Sequence, residues 1–249
     1  MVNYLENENF KATIVVNDPT IIVLGFGGLG AVKKEGGDWG EGFFQSKGFS
    51  FVSLNPKSEH WWFRGCFGEE LEKLQSITRS YQRVVCYGHS MGGHGAFVHA
   101  DDLNATSIIS SAPQYSINPN IIGKYDRRWS QFFSAKIHDG MEGRLKSHAS
   151  DIRIIFDPFD KTEKWHVDRI MENNPQTNTL RLPFTEHEPL QFLKSAGLLS
   201  DVIGSLIVSS GVPKDIRLKV RQARATSDQY VRRMRKVLDW REQKSLLRK

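Results

Sequence analysis

The stretch that most constrains the fold runs from Arg83 to Ala100. A short apolar, β-rich run, Arg83-Val84-Val85-Cys86-Tyr87, breaks at Gly88 and resumes as small residues and helix formers. That pattern reads as strand, sharp turn, helix. The turn itself, Gly88-His89-Ser90-Met91-Gly92-Gly93, contains Gly-x-Ser-x-Gly. In such a turn the serine occupies a strained backbone conformation, and the flanking glycines let strand and helix pass without a Cβ clash. Ser90 is therefore the expected nucleophile. The competing reading is a glycine-rich turn whose serine only caps the next helix. The strand before it, the small-residue helix after it and the ordered partners downstream weigh against that.

Around this turn the chain alternates between strand and helix patterns, as in an α/β domain. Strands are expected at Lys11–Val16, Thr20–Phe26, Phe49–Leu54, Ala105–Ser111, Ile152–Phe156 and Thr179–Leu182. Helices are expected at Asp38–Lys47, Glu69–Tyr81 and Thr162–Glu172, with a long apolar helix from about Leu190. Residues 116–150 show no clear strand but carry Tyr125, Trp129, Phe132 and Phe133 among charges, which reads as a small helical cap inserted between two core strands. With 249 residues, 39% hydrophobic and 25% charged, one α/β domain with an appendage accounts for the length.

The glycine run Gly25-Phe26-Gly27-Gly28-Leu29-Gly30 at the end of the second of these strands supports two readings. As Gly-x-Gly-x-x-Gly it matches a dinucleotide-binding turn. Against this, Lys33-Lys34-Glu35-Gly36-Gly37-Asp38 is too glycine-rich to open a helix, and the following strand runs to Asn55 where an acidic residue is wanted. The other reading is an oxyanion loop, with a backbone N–H from Phe26 or Gly27 and a second from Met91, just after the nucleophile. Trp61, Trp62 and Phe63, in a loop expected at the carboxyl end of the sheet, are candidates for a substrate-pocket wall, with packing of the loop onto the body as the competing reading. No metal set is expected, because no histidine pair has i, i+4 spacing around a Glu and the two cysteines, Cys66 and Cys86, are not paired in sequence. No cofactor is expected either.

These motifs resemble those of the α/β-hydrolases over roughly residues 10–210. The resemblance is carried by Gly88-His89-Ser90-Met91-Gly92-Gly93, by an aspartate after a later strand and by a histidine after the final strand. His60-Trp61-Trp62 and Ser111-Ala112-Pro113-Gln114-Tyr115 are similar to blocks of bacterial hydrolase-like proteins. The family implies a mostly parallel sheet with helices on both faces and a Ser-His-Asp triad. His187, in the loop after the last strand, is the expected base. The acid has two candidates: Asp160, in the turn where the family's acid points back to the histidine, and Asp157, which ends its strand. The implied chemistry is cleavage of a carboxylic ester or thioester through an acyl-enzyme. The alternatives are acyl transfer to a sugar or lipid hydroxyl, or a non-catalytic binding protein on the same fold.

Charge separates the body from its end. Residues 213–249 hold 13 Lys and Arg against 4 Asp and Glu, a net +9 that leaves −3 for residues 1–212. Tyr230, Met234, Val237 and Leu238 recur at helical spacing among arginines and lysines, so a basic amphipathic tail is expected after a domain ending at Val212. Such a tail either docks its apolar stripe on the body with its charges in water or binds an anionic membrane surface or an acidic protein partner, and it suits nucleic acid less because the body has no matching basic patch. The opening Met1-Val2-Asn3-Tyr4-Leu5-Glu6 has neither a basic nor an apolar leader region, so a cytoplasmic location with membrane association through the tail is the expectation.

Overall fold

A computed structural model of the chain describes residues 2–32 and 39–246. The expected glycine-rich turn at 33–38, including the start of the helix expected at Asp38, lies outside the described residues, as do 247–249. Eight strands form one sheet: β1 (Val2–Glu6), β2 (Phe10–Val15), β3 (Ile21–Phe26), β4 (Ser50–Pro56), β5 (Arg83–His89), β6 (Ser107–Ser111), β7 (Asp151–Phe156) and β8 (Asn178–Arg181). Their order is β1-β2-β4-β3-β5-β6-β7-β8. β2 runs antiparallel to both its neighbours, and every pair from β4 to β8 is parallel.

Side-chain alternation divides the core into two layers, as strand geometry requires. Ile22, Leu24 and Phe26 of β3 face one layer with α2 (Glu70–Thr78), α3 (Met91–Val98) and α6 (Lys161–Asn173). Val23 faces the other, with α1 (Glu41–Ser46), α7 (Pro189–Ser195), α8 (Leu199–Val208) and α9 (Lys214–Thr226). Helices on both faces of a mostly parallel sheet are the α/β-hydrolase architecture.

Three expectations change in the structure. The apolar helix from Leu190 is two helices, α7 and α8, bent by 119° at Ala196-Gly197-Leu198, where Gly197 takes φ +68°. The 116–150 insertion is a chain of short pieces, with α4 (Pro119–Ile122), α5 (Ala135–His138) and two 3-10 turns, pinned by buried Ile117, Ile122, Met141 and Leu145. The boundary expected at Val212 falls inside the packed body, because α9 buries Ile216 and Val220 completely in the second layer. The basic end continues as α10 (Asp228–Leu246). Tyr230 packs on Phe184 and Phe192, and Arg233 reaches the carbonyl of Thr185, while Leu238 and Trp240 are exposed.

Candidate active site

At the end of β5 the backbone turns through Ser90 with φ 55° and ψ −122°, a strained conformation for a residue with a Cβ. Two glycines make the turn sterically feasible. A Cβ on Gly88 would come within 2.1 Å of the Gly92 carbonyl oxygen, and one on Gly92 within 2.1 Å of the Phe26 carbonyl oxygen. The Ser90 N–H is anchored on the Ser111 carbonyl of β6 at 2.8 Å. Ser90 therefore stands at the carboxyl edge of the sheet with its hydroxyl fixed in direction.

That hydroxyl meets His187. The Nε2–Oγ distance is 2.8 Å, and on its far side the ring donates from Nδ1 to Oε1 of Glu163 at 2.9 Å. A ring that donates from Nδ1 is free to accept the serine proton at Nε2. The loop carrying His187 is itself strained, with Phe184 at φ 61° and Glu186 at φ 53°. Asp157 holds it there by accepting the Glu186 N–H at 2.8 Å, and it accepts the Phe159 N–H at 2.8 Å through its other oxygen. Burial raises the Asp157 proton affinity against the pull of these backbone donors.

The structure brings Ser90 and His187 together but does not bring Asp160 to them. Asp160 is the N-cap of α6, and its Oδ1 accepts the N–H groups of Thr162 at 2.8 Å and Glu163 at 3.0 Å. The carboxylate on the histidine belongs to Glu163, one turn into that helix and 1% exposed. Burial alone would raise its pKa. The hydrogen bond from His187 and the guanidinium of Arg128, 2.8 Å from the same Oε1, outweigh burial and hold it below the ordinary glutamate value. Arg128 also pairs with Asp126 at 2.9 Å, and Asp126 accepts from His166 Nε2 at 3.0 Å. The insertion thus clamps the carboxylate from behind.

The expected oxyanion donors change as well. Phe26 is in register with Gly88 and Leu54 on both flanking strands, and the Gly27 N–H is taken by the Leu54 carbonyl at 2.8 Å. The loop leaves the sheet at Gly28, which lines the cavity in front of Ser90. Met91 is the first residue of α3, a position whose N–H has no intrahelical acceptor and lies at the positive end of the helix dipole.

Trp61 and Trp62 are core residues rather than a pocket wall. Both adopt positive φ, 48° and 51°, and are 1% and 0% exposed. The Trp62 indole N–H donates to the Gly27 carbonyl at 2.9 Å, and its ring lies where a Cβ on Gly95 would come within 2.5 Å of it. Trp61 donates to Gln114 Oε1 at 3.2 Å, and Gln114 Nε2 donates to Ser90 Oγ at 3.2 Å. Phe63 packs against the first core layer, away from the cavity. The tryptophans therefore support the glycine loop and the serine from beneath. The cavity before Ser90 has a volume of about 720 Å³, and its aromatic walls are Trp39, Phe43, Tyr87 and Trp129.

A serine on a strand-to-helix elbow, reached by a histidine from the last strand's loop, sits in this chain on the α/β-hydrolase fold. Solved structures agree on the fold. The capsule O-acetyltransferase of Neisseria meningitidis serogroup A is 14% identical over 84% of this chain and 95% of its own, with a TM-score of 0.58. An esterase of Pyrococcus furiosus is 13% identical over 83% of this chain and 91% of its own, with a TM-score of 0.51. No family model and no curated protein matches the sequence.

Proposed function

We propose that this protein is a serine enzyme that cleaves a carboxylic ester or thioester, with Ser90 as nucleophile, His187 as general base and Glu163 as the carboxylate that orients it. The observation that carries this reading is the unbroken chain from Ser90 Oγ to His187 at 2.8 Å and on to Glu163 at 2.9 Å, built on a strained elbow. As Oγ attacks the substrate carbonyl, its proton passes to His187 Nε2 and the carbonyl π pair moves to oxygen. The Met91 and Gly28 N–H groups receive that negative charge. Collapse of the tetrahedral species expels the alcohol or thiol, which takes the proton from Nε2 and leaves an acyl ester on Ser90. Water, deprotonated by the same nitrogen, then releases the acid.

Acyl transfer to a hydroxyl shares the first half of this cycle, and the likeness to an O-acetyltransferase favours testing it beside hydrolysis. Labelling with a fluorophosphonate probe and turnover of p-nitrophenyl esters, each for the wild type and Ser90→Ala, test the common step. Wild-type labelling lost in the variant is expected. An unlabelled wild type would favour the non-catalytic binding reading. Burst and steady-state rates with and without a polyol acceptor divide hydrolysis from transfer, because an acceptor raises turnover only when it outcompetes water for the acyl-enzyme.

A further inference from the structure

The cavity in front of Ser90 is much larger than its chemistry requires. At about 720 Å³ it has the space of roughly two dozen waters, of which an acetyl group would displace two or three. One side is built by the bent α7–α8 pair, which presents Leu190, Leu199 and Ile203, and the facing wall is Trp39, Phe43 and Tyr87. Of the polar side chains around it Asn55 and His89 are engaged, while the Trp129 indole N–H has no hydrogen-bond partner among the described residues and Glu188 is exposed at the rim. Asn55 accepts the Trp39 N–H at 2.8 Å and donates to the Ser53 carbonyl at 3.2 Å, and His89 is bonded to Ser111 Oγ at 3.2 Å. Leu190 and Leu199 pack on the second core layer but stay half-buried, so part of their apolar surface remains open to the cavity. A sugar laid against Leu190, Leu199 and Ile203 would lose hydrogen bonds to water that these side chains cannot replace, whereas a hydrocarbon chain would release water from them.

From this we infer that the enzyme's acyl donor carries a medium or long hydrocarbon chain, with the chain lying between the α7–α8 pair and the Trp39–Phe43 wall while its carbonyl sits at Ser90. This rests on the serine reading above. Each methylene buried there adds about fourfold to kcat/KM. Going from acetyl to octanoyl adds six methylenes, so octanoyl is favoured by about 60-fold even when only half of that burial energy is realised.

The test measures kcat/KM for p-nitrophenyl acetate, butyrate, octanoate and decanoate on the full chain, in parallel with fluorophosphonate labelling of Ser90. An octanoate-to-acetate ratio of about 60 or more is expected, with the ratio falling about tenfold or more in Leu199→Trp, where the indole fills the chain's path. Leu190→Asn, on the neighbouring helix, gives the same fall by a polar route and serves if the tryptophan variant does not fold. Leu218→Ser, at an exposed position on α9, leaves the ratio where it was. A wild-type preference for acetate with Ser90 labelled overturns the chain inference and leaves the serine reading intact. A high ratio that neither cavity variant lowers overturns it too, because the chain would then bind elsewhere. Failure to label Ser90 and to cleave any ester overturns the serine reading, and this inference with it.

Discussion

Replacing Glu163 by Gln changes one atom and keeps the volume, so it isolates what the carboxylate does. In the structure Oε1 accepts from His187 Nδ1 at 2.9 Å and from Arg128 at 2.8 Å. An amide can satisfy both donors only with its single oxygen, and its NH2 group turned toward the ring favours the tautomer with the proton on Nε2. That tautomer cannot take the serine proton. In a Ser-His-Asp enzyme the equivalent amide substitution lowers kcat by about 10⁴-fold, or about 5.5 kcal/mol of barrier. A loss of 10³ to 10⁴ is expected for Glu163→Gln, with the Arg128–Asp126 pair still in place to keep the fold. Asp160→Asn is the control. Its carboxylate caps α6, asparagine caps about as well as aspartate, and kcat and stability stay within a few-fold and a few tenths of a kcal/mol. The assay is kcat/KM on an activated ester together with a thermal melt for both variants. A collapse in Asp160→Asn with Glu163→Gln within tenfold of wild type would refute the assignment and restore the aspartate expected from the sequence.

Three further outcomes follow from the same geometry. Arg128→Met removes one of the groups that hold the Glu163 carboxyl below its ordinary value, so Glu163 protonates at higher pH and the acid limb of the pH–rate profile moves up; an unmoved limb would show that Arg128 acts by position alone. His60 and His94 are buried neutral, with burial pushing both down to about 4 from the usual 6.5, so the unfolded chain takes up their protons first as pH falls. Stability is then lost between pH 6.5 and 4, by on the order of 3 kcal/mol per histidine at most, and a melting temperature constant across that window would contradict it. Truncation after Val212 removes the buried side chains of Ile216 and Val220, each worth about 2 kcal/mol or more, and should yield aggregation or a markedly lower melting temperature, whereas a chain ending at Asp239 should melt close to the full chain.

Much of the scaffold is legible in the sequence because its signals are local. Apolar runs with β-branched residues place seven of the eight strands to within a few residues, and Gly88 and Gly92 report a backbone contact that only glycine permits. β1 escapes, although Asn7 carries a turn signal: its Oδ1 accepts the N–H groups of Asn9 and Phe10 and folds β1 back on β2. The aromatic loop stays open between a pocket wall and core packing for a different reason. Trp61 and Trp62 look like an exposed wall because nothing in their own segment shows that Gly95, on another element, opens the slot that Trp62 fills. The boundary at Val212 is misplaced likewise, since the tail's charge pattern is plain but the burial of Ile216 and Val220 depends on the helices of the second layer.

The acid is the most instructive case, because its signal was present and pointed to another role. Asp160-Lys161-Thr162-Glu163 is an acidic N-cap followed three residues later by glutamate, the spacing in which glutamate ordinarily reaches back to the cap residue's N–H. Here Asp160 satisfies two of the helix's first donors with one oxygen, and Glu163 reaches outward instead. What draws it away lies far along the chain: His187 on the loop after β8, and Arg128 from the insertion. A short aspartate at the strand end is consumed by backbone N–H groups in both candidate positions, Asp157 by the loop it holds and Asp160 by the helix it starts. The longer glutamate, one turn further on, spans the remaining distance. The sequence pattern is therefore degenerate between a capping residue and the partner of a histidine, and the clamp supplied by Arg128 together with the placement of His187 selects between them.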